Sequence, residues 1–255
     1  AMQPVGDGRY RATIPGQSLG TRVVFWIRTT DAGGRVGRFP LDVVNRTHPS
    51  LLDPSSPTVH DHLYCIYKHD VADIGAPYAG YRFFMSDSDE AYLGARPNLS
   101  NDPIPGSFLY GTARMFHGAA TRFAGSPFAR GQWGSMRVYL PRDAGFHEPM
   151  RKFNLDMHHG TGADARERIS HYLLSKSQGG GGTPYSDSQE LVRWQVNGRG
   201  VSTLERVWVP DVQYLSIWYP EDDDGPLYEL DDRFVVNDAG SMTGNKDAEL
   251  KYPRP

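Results

Sequence analysis

The dipeptide Asn197-Gly198 constrains this chain more than any other short stretch. Val192, Trp194 and Val196 alternate with polar residues up to it, and a second β-rich run extends from Val201 to Val209. A two-residue type I′ turn needs positive φ at both central positions, which Asn and Gly adopt most readily. The pattern therefore predicts a β-hairpin over 192–209. Met136 to Leu140 alternates in the same way, with Met136, Val138 and Leu140 on one face and Arg137 and Tyr139 on the other. Further short strands are predicted at 63–67 and 81–85 and within 107–141.

Helical signals are fewer. Asp164-Ala165-Arg166-Glu167 fits a capping box, after which Ile169, Tyr172 and Leu173 share one helical face. Pro210-Asp211 starts a second helix, with Val212 and Leu215 on one face. The expected fold class is α+β, a mostly antiparallel sheet that includes 136–140, 192–197 and 201–209. The helix beginning near Asp164 should pack on that sheet. Residues 86–106 are polar and carry Pro97, Pro103 and Pro105, which predicts a loop.

The N-terminal part reads differently. Arg9 to Ile14 alternates into Pro15-Gly16, and TRVVFWIRTT at 21–30 is a long β-branched and aromatic run ending at Asp31-Ala32-Gly33-Gly34. Residues 1–45 are read as a β unit, 46–62 with Pro49, Pro54 and Pro57 as a linker, and 63–255 as the main domain. Only two or three strands are visible in 1–45, where a sandwich needs about seven. An edge sheet of the main domain is the alternative.

Composition narrows the function classes. Lys+Arg number 27 against Asp+Glu 30, so no basic surplus points to nucleic acid. No apolar run reaches the length of a membrane span. The single cysteine, Cys65, excludes an internal disulfide, and its apolar neighbours Leu63, Tyr64, Ile66 and Tyr67 predict a buried, inert thiol.

The chemistry-bearing stretch is TRFAGSPFARGQWGSMRVYLP at 121–141. It carries Arg122, a turn through Gly125-Ser126-Pro127, Arg130, a second turn bounded by Gly131 and Gly134, and Arg137. A glycine-rich turn between strands, flanked by three arginines, is a cradle for an anion such as phosphate. A surface hairpin with solvated arginines is the other reading. Glu205, on the return strand of the hairpin, is placed to hold one arginine by a bidentate pair, or is an exposed strand charge. The candidate cofactor-binding residues are thus Arg122, Ser126, Arg130, Arg137 and Glu205. Glu221 to Asp224, with Asp231 and Asp232, reads as a solvated acidic loop. The neighbours His158 and His159 would point to opposite faces of a strand, and no Cys-x-x-Cys or His-x-x-x-His occurs, so no zinc site is predicted. No phosphate-binding G-x-x-x-x-G-K-[ST] loop and no G-x-S-x-G elbow is present.

The same stretch carries a resemblance. RFAGSPFARGQWGSMRVYLPRDAGF resembles the arginine-glycine segment of CotH-type (spore-coat-type) atypical protein kinases. Around it, in the family's order, stand SNDPIPGSFLYG at 100–111, KFNLD at 152–156, DARERISHYLL at 164–174, VRWQVNGRGVSTLERVWVPDVQYL at 192–215 and GPLYEL at 225–230. The resemblance implies a kinase-like N-terminal lobe, ATP with magnesium or manganese, and a Ser/Thr acceptor in a coat or surface protein. It also implies an extracellular, cell-surface or spore-coat location. Phosphoryl transfer needs a metal-binding and a base carboxylate, which the family supplies from a segment expected beyond Pro255, so this chain alone is expected to be inactive. Residues 1–45 resemble the last strands of an immunoglobulin- or fibronectin-like module. A non-catalytic surface or adhesion protein with the same fold is the alternative.

Overall fold

The computed structural model describes residues 2–39, 65–68, 74–95, 101, 103–125, 134–141, 146, 150–157, 169, 172–173, 176, 190–209, 211–221, 223–224, 227–230, 235–236, 242–243 and 248–252. The first five strands are β1 (Gln3–Gly6), β2 (Arg9–Arg11), β3 (Arg22–Phe25), β4 (Ile27–Thr30) and β5 (Val36–Phe39). Then come β6 (Cys65–Lys68), β7 (Ala79–Phe84), helix α1 (Asp87–Ala95), β8 (Ile104–Tyr110), β9 (Arg114–Phe123), β10 (Met136–Tyr139) and β11 (Lys152–Asp156). After β12 (Glu190–Val196) and β13 (Arg199–Trp208) lies α2 (Val212–Trp218). The last strands are β14 (Leu227–Leu230), β15 (Val235–Val236), β16 (Met242–Thr243) and β17 (Ala248–Tyr252).

Strands β7 to β11 form an antiparallel meander in chain order, and the β12–β13 hairpin fits between its two edges. β13 pairs antiparallel with β11, β12 pairs parallel with β7, and the sheet closes into a barrel. The parallel pair follows from counting. Directions that alternate around a ring of seven strands must meet one like-directed neighbour, and β7–β12 is that seam. The hairpin turns at Asn197 (φ 51) and Gly198 (φ 78), the positive-φ pair that the sequence calls for.

The expected α+β class is not what the chain adopts. The described residues are mainly β, a closed mixed barrel with two short helices. A closed barrel fills its inner face with its own side chains and needs no helix to cover it. Here Tyr81 makes edge-to-face contacts with Phe108, Phe146 and Phe153 at centroid distances of 5.2, 5.6 and 5.7 Å. Each such pair contributes about 0.5–1.5 kcal/mol beyond area burial. The backbone at Ile169, Tyr172 and Leu173 is helical, but these side chains are 54%, 60% and 59% exposed rather than buried on the sheet.

Two other expectations change, and one holds. The run 21–30 is not one strand: β3 pairs with β6, and β4 turns back on β5. The stretch 86–106 holds α1, because Ser86 caps it; the Asp89 amide donates to Ser86 Oγ at 3.1 Å. The helix expected after Pro210 is α2, and the Asp211 carboxylate accepts from the Tyr214 amide at 2.9 Å.

Cys65 is buried as expected, and burial pushes its thiol up to about 12. Among the described residues no helix is long and apolar enough to cross a membrane.

Candidate functional site

The register of β9 on β10 sets Arg122 directly opposite Arg137. Partners in an antiparallel pair share a face. Their neighbours Phe123, Met136 and Val138 fill the barrel interior, so both arginines stand on its outer face. The next positions across β11 on that face are Asn154, opposite Arg137, and Lys152, opposite Tyr139. Two guanidiniums, an ammonium, an amide and a phenol are thus gathered on three adjacent strands.

Arg122 is only 7% exposed. Its Nε donates to the Tyr139 hydroxyl at 2.9 Å, and its Nη1 donates to Asn101 Oδ1 at 2.7 Å and to the Phe123 carbonyl at 2.8 Å. All three acceptors are neutral, and among the described residues no carboxylate pairs with Arg122. A guanidinium has five donors, and the pair on Nη2 has no acceptor among the described residues. Arg137 Nε donates to Asn154 Oδ1 at 2.7 Å. Lys152 lies 2.6 Å from the Asp211 carboxylate, which also caps α2, so its charge is offset locally.

Tyr139 reports the field of this cluster. Burial drives its hydroxyl up, but the charges of Arg122, Arg137 and Lys152, with the Arg122 hydrogen bond, outweigh burial and hold it below the usual tyrosine range.

Of the five residues expected from sequence, Arg122 and Arg137 are brought together. Ser126 and Arg130 lie outside the described residues. Glu205 is on the same outer face but fully buried, opposite Asp156 on β11 and Leu191 on β12, and so is not an exposed strand charge. Asp156 accepts from Ser135 Oγ at 2.6 Å, and that same oxygen accepts from the Met157 amide at 2.9 Å.

Lys152, Asn154 and Asn101 were not anticipated in sequence. Period-two alternation in KFNLD could have placed the first two on one face, but only the strand pairing sets that face beside Arg137.

Among the described residues no three of His, Cys, Asp and Glu converge on one point. What the arrangement can do is bind an oxyanion: two guanidiniums side by side offer planar, charge-assisted donors suited to phosphate.

No family model and no curated protein matches the chain. The resemblance to CotH-type kinases therefore rests on its ordered motifs.

Proposed function

We propose that Arg122 and Arg137 hold a phosphate group of ATP, and that the chain carries the nucleotide-phosphate-binding part of an atypical protein kinase of the CotH type. The acceptor is a Ser or Thr of a coat or surface protein, and the metal that accompanies ATP is magnesium or manganese. The observation that carries this reading is the Nη2 end of Arg122, the solvent-reaching end of a mostly buried side chain with no carboxylate partner among the described residues, beside Arg137. Guanidiniums held close on one face repel one another unless an anion offsets them. The neutral acceptors around Arg122 orient its charge without cancelling it.

ATP titration by calorimetry tests the reading, with Arg137→Ala and Arg122→Lys beside the parent protein. The expected result is at least tenfold weaker ATP binding in both variants, with the melting transition retained in Arg137→Ala. Unchanged ATP affinity in Arg137→Ala removes that residue from the site.

A second reading, a non-catalytic surface protein, is favoured by one feature. Three donors of Arg122 and Nε of Arg137 already bond protein atoms. On that reading the pair clamps β9, β10 and β11, and the variants lower stability while neither they nor the parent binds ATP.

A further inference from the structure

Among the described residues, strands β3 and β6 pair only with each other. Ile66 of β6 packs with Phe84 and Leu109, whose chain neighbours Phe83 and Phe108 fill the interior, so this two-stranded ribbon lies on the outer wall of the barrel. The Ile66 amide donates to Ser107 Oγ at 3.0 Å, and that oxygen lies 2.9 Å from His117 Nδ1. Phe25 of β3 stands edge-on to the His117 ring with centroids 5.3 Å apart. We infer that His117 is a proton-operated latch: the neutral imidazole holds the β3–β6 ribbon on the barrel, and protonation releases it.

The serine between ribbon and histidine makes docking depend on the proton. A hydroxyl has one hydrogen to give. Ser107 Oγ accepts from Ile66, so its own hydrogen goes to Nδ1, which is thus the bare nitrogen, and Nε2 carries the ring proton. Protonation places a hydrogen on Nδ1 as well. Ser107 Oγ then faces two donors, and its hydrogen loses its acceptor among the described residues. Ser107 is fully buried, so water does not replace the lost bond.

Charge acts in the same direction. The strands packed against the imidazole are β3, β6, β8 and its own β9. Their titratable and charged side chains are Arg22; Cys65, Tyr67 and Lys68; Tyr110; and Arg114 and Arg122. None is a carboxylate, so an imidazolium gains no ion partner from any of these strands. Burial accordingly holds the ring below the ordinary histidine value. Docking is therefore strongest above about 6.5 and weakens as pH falls through the docked value.

The register decides which end opens. Phe25 lies opposite Cys65 at one end of the ribbon, and Arg22 opposite Lys68 at the other. Arg22 is tied to the Met85 carbonyl and to Asp87 and Glu90 of α1, links that His117 does not share. Release thus exposes the Phe25–Cys65 end. Cys65 is fully buried and is the only cysteine in the chain, so its thiol reports the opening.

The full chain is labelled with dithiodipyridine, and the rate is divided by that of N-acetylcysteine at each pH to remove the ionisation of a free thiol. The expected relative rate is constant above about 6.5 and rises as pH falls below it, by up to about tenfold per unit of pH. It should level off where NMR shows the His117 imidazole fully protonated, with the near-ultraviolet circular dichroism of the folded barrel retained. His117→Gln keeps an acceptor for Ser107 and should hold the low rate throughout. His62 and His69 lie just outside β6 in sequence, and replacing both by Gln should leave the rise intact.

A relative rate that does not rise overturns the inference. So does a rise that persists in His117→Gln, that vanishes in the His62→Gln/His69→Gln protein, or that appears only with loss of the near-ultraviolet signal. If His117→Gln fails to melt cooperatively, the parent decides: a rate still rising below the pH at which His117 is fully protonated overturns the inference.

Discussion

Arg122 and Tyr139 stand on neighbouring strands with the guanidinium Nε 2.9 Å from the phenolic oxygen, and each alters the other's chemistry. The cation favours the tyrosinate, and the tyrosine fixes the plane in which the remaining guanidinium donors lie. Tyr139→Phe leaves the buried Nε without its acceptor. The expected cost is roughly 1–3 kcal/mol near neutral pH, read from urea unfolding midpoints. A variant as stable as the parent would mean that the bond contributes nothing.

The same residue gives a signed pH dependence. Its folded value lies below the usual one, so the unfolded chain keeps the proton to higher pH. The ionisation contribution is therefore absent at neutral pH, grows as pH rises through the folded value, and is complete above about 10. The stability gap between parent and Tyr139→Phe should widen as pH rises through the folded value towards about 10. A constant gap would show that Tyr139 does not titrate early.

His117 produces the acid-side counterpart. Burial holds its imidazole below the ordinary histidine value, with Nδ1 2.9 Å from Ser107 Oγ and the ring edge-on to Phe25. A depressed folded value means that its contribution is full above about 6.5 and is lost as pH falls through the folded value. His117→Gln, whose amide can still meet Ser107, should flatten the decline of melting temperature as pH falls below about 6.5. An identical decline in the two proteins would assign the acid sensitivity elsewhere.

Gly106 sits at the bulge of β8, where a Cβ would press on the Phe84 carbonyl oxygen and the Phe83 ring. A carbonyl in a paired strand cannot move aside without breaking its ladder. Gly106→Ala should destabilise by about 1–3 kcal/mol, the usual cost of overpacking. Equal denaturation midpoints would show that the bulge relaxes freely.

Two substitutions at Asn197 separate backbone from side chain. Its amide group donates to Glu90 and accepts from the Met85 amide at 3.0 Å, and its φ is 51. Asn197→Gly keeps the turn conformation and loses the bonds, at roughly 1–3 kcal/mol. Asn197→Ala loses both, and should cost about 1 kcal/mol more. If the two variants are equally stable, the turn carries no conformational preference.

What was legible in the sequence was local. The Asn197-Gly198 turn, the alternation over Met136 to Tyr139 and the helix start at Pro210-Asp211 are each written within a few residues, and the turn, the strand and the helix are present in the structure. Barrel closure was not legible, because it depends on Val192 meeting Ala79 and Phe153 meeting Trp208 across long separations. The α1 helix was hidden by its composition: SDSDEAYLGA looks like a loop unless Ser86 and Asp89 are read as a cap. The outer face of Arg137 and Tyr139 was readable from alternation. That Arg122 lies across from Arg137 was not, since it depends on how the chain between them turns.

The parallel seam also has a consequence in time. Strands β7 to β11 can assemble as soon as residues 79–156 have left the ribosome, but they then form an open, curved sheet with both edges bare. Tyr81, Phe108 and Phe153 line its concave side with nothing above them. Residues 190–208 must emerge and fold on themselves before both edges can be joined. Non-local pairing of this kind is slow, and an open sheet with an apolar hollow invites other chains. During synthesis, the stretch that completes the wall is also the one that ends the molecule's most adhesive stage.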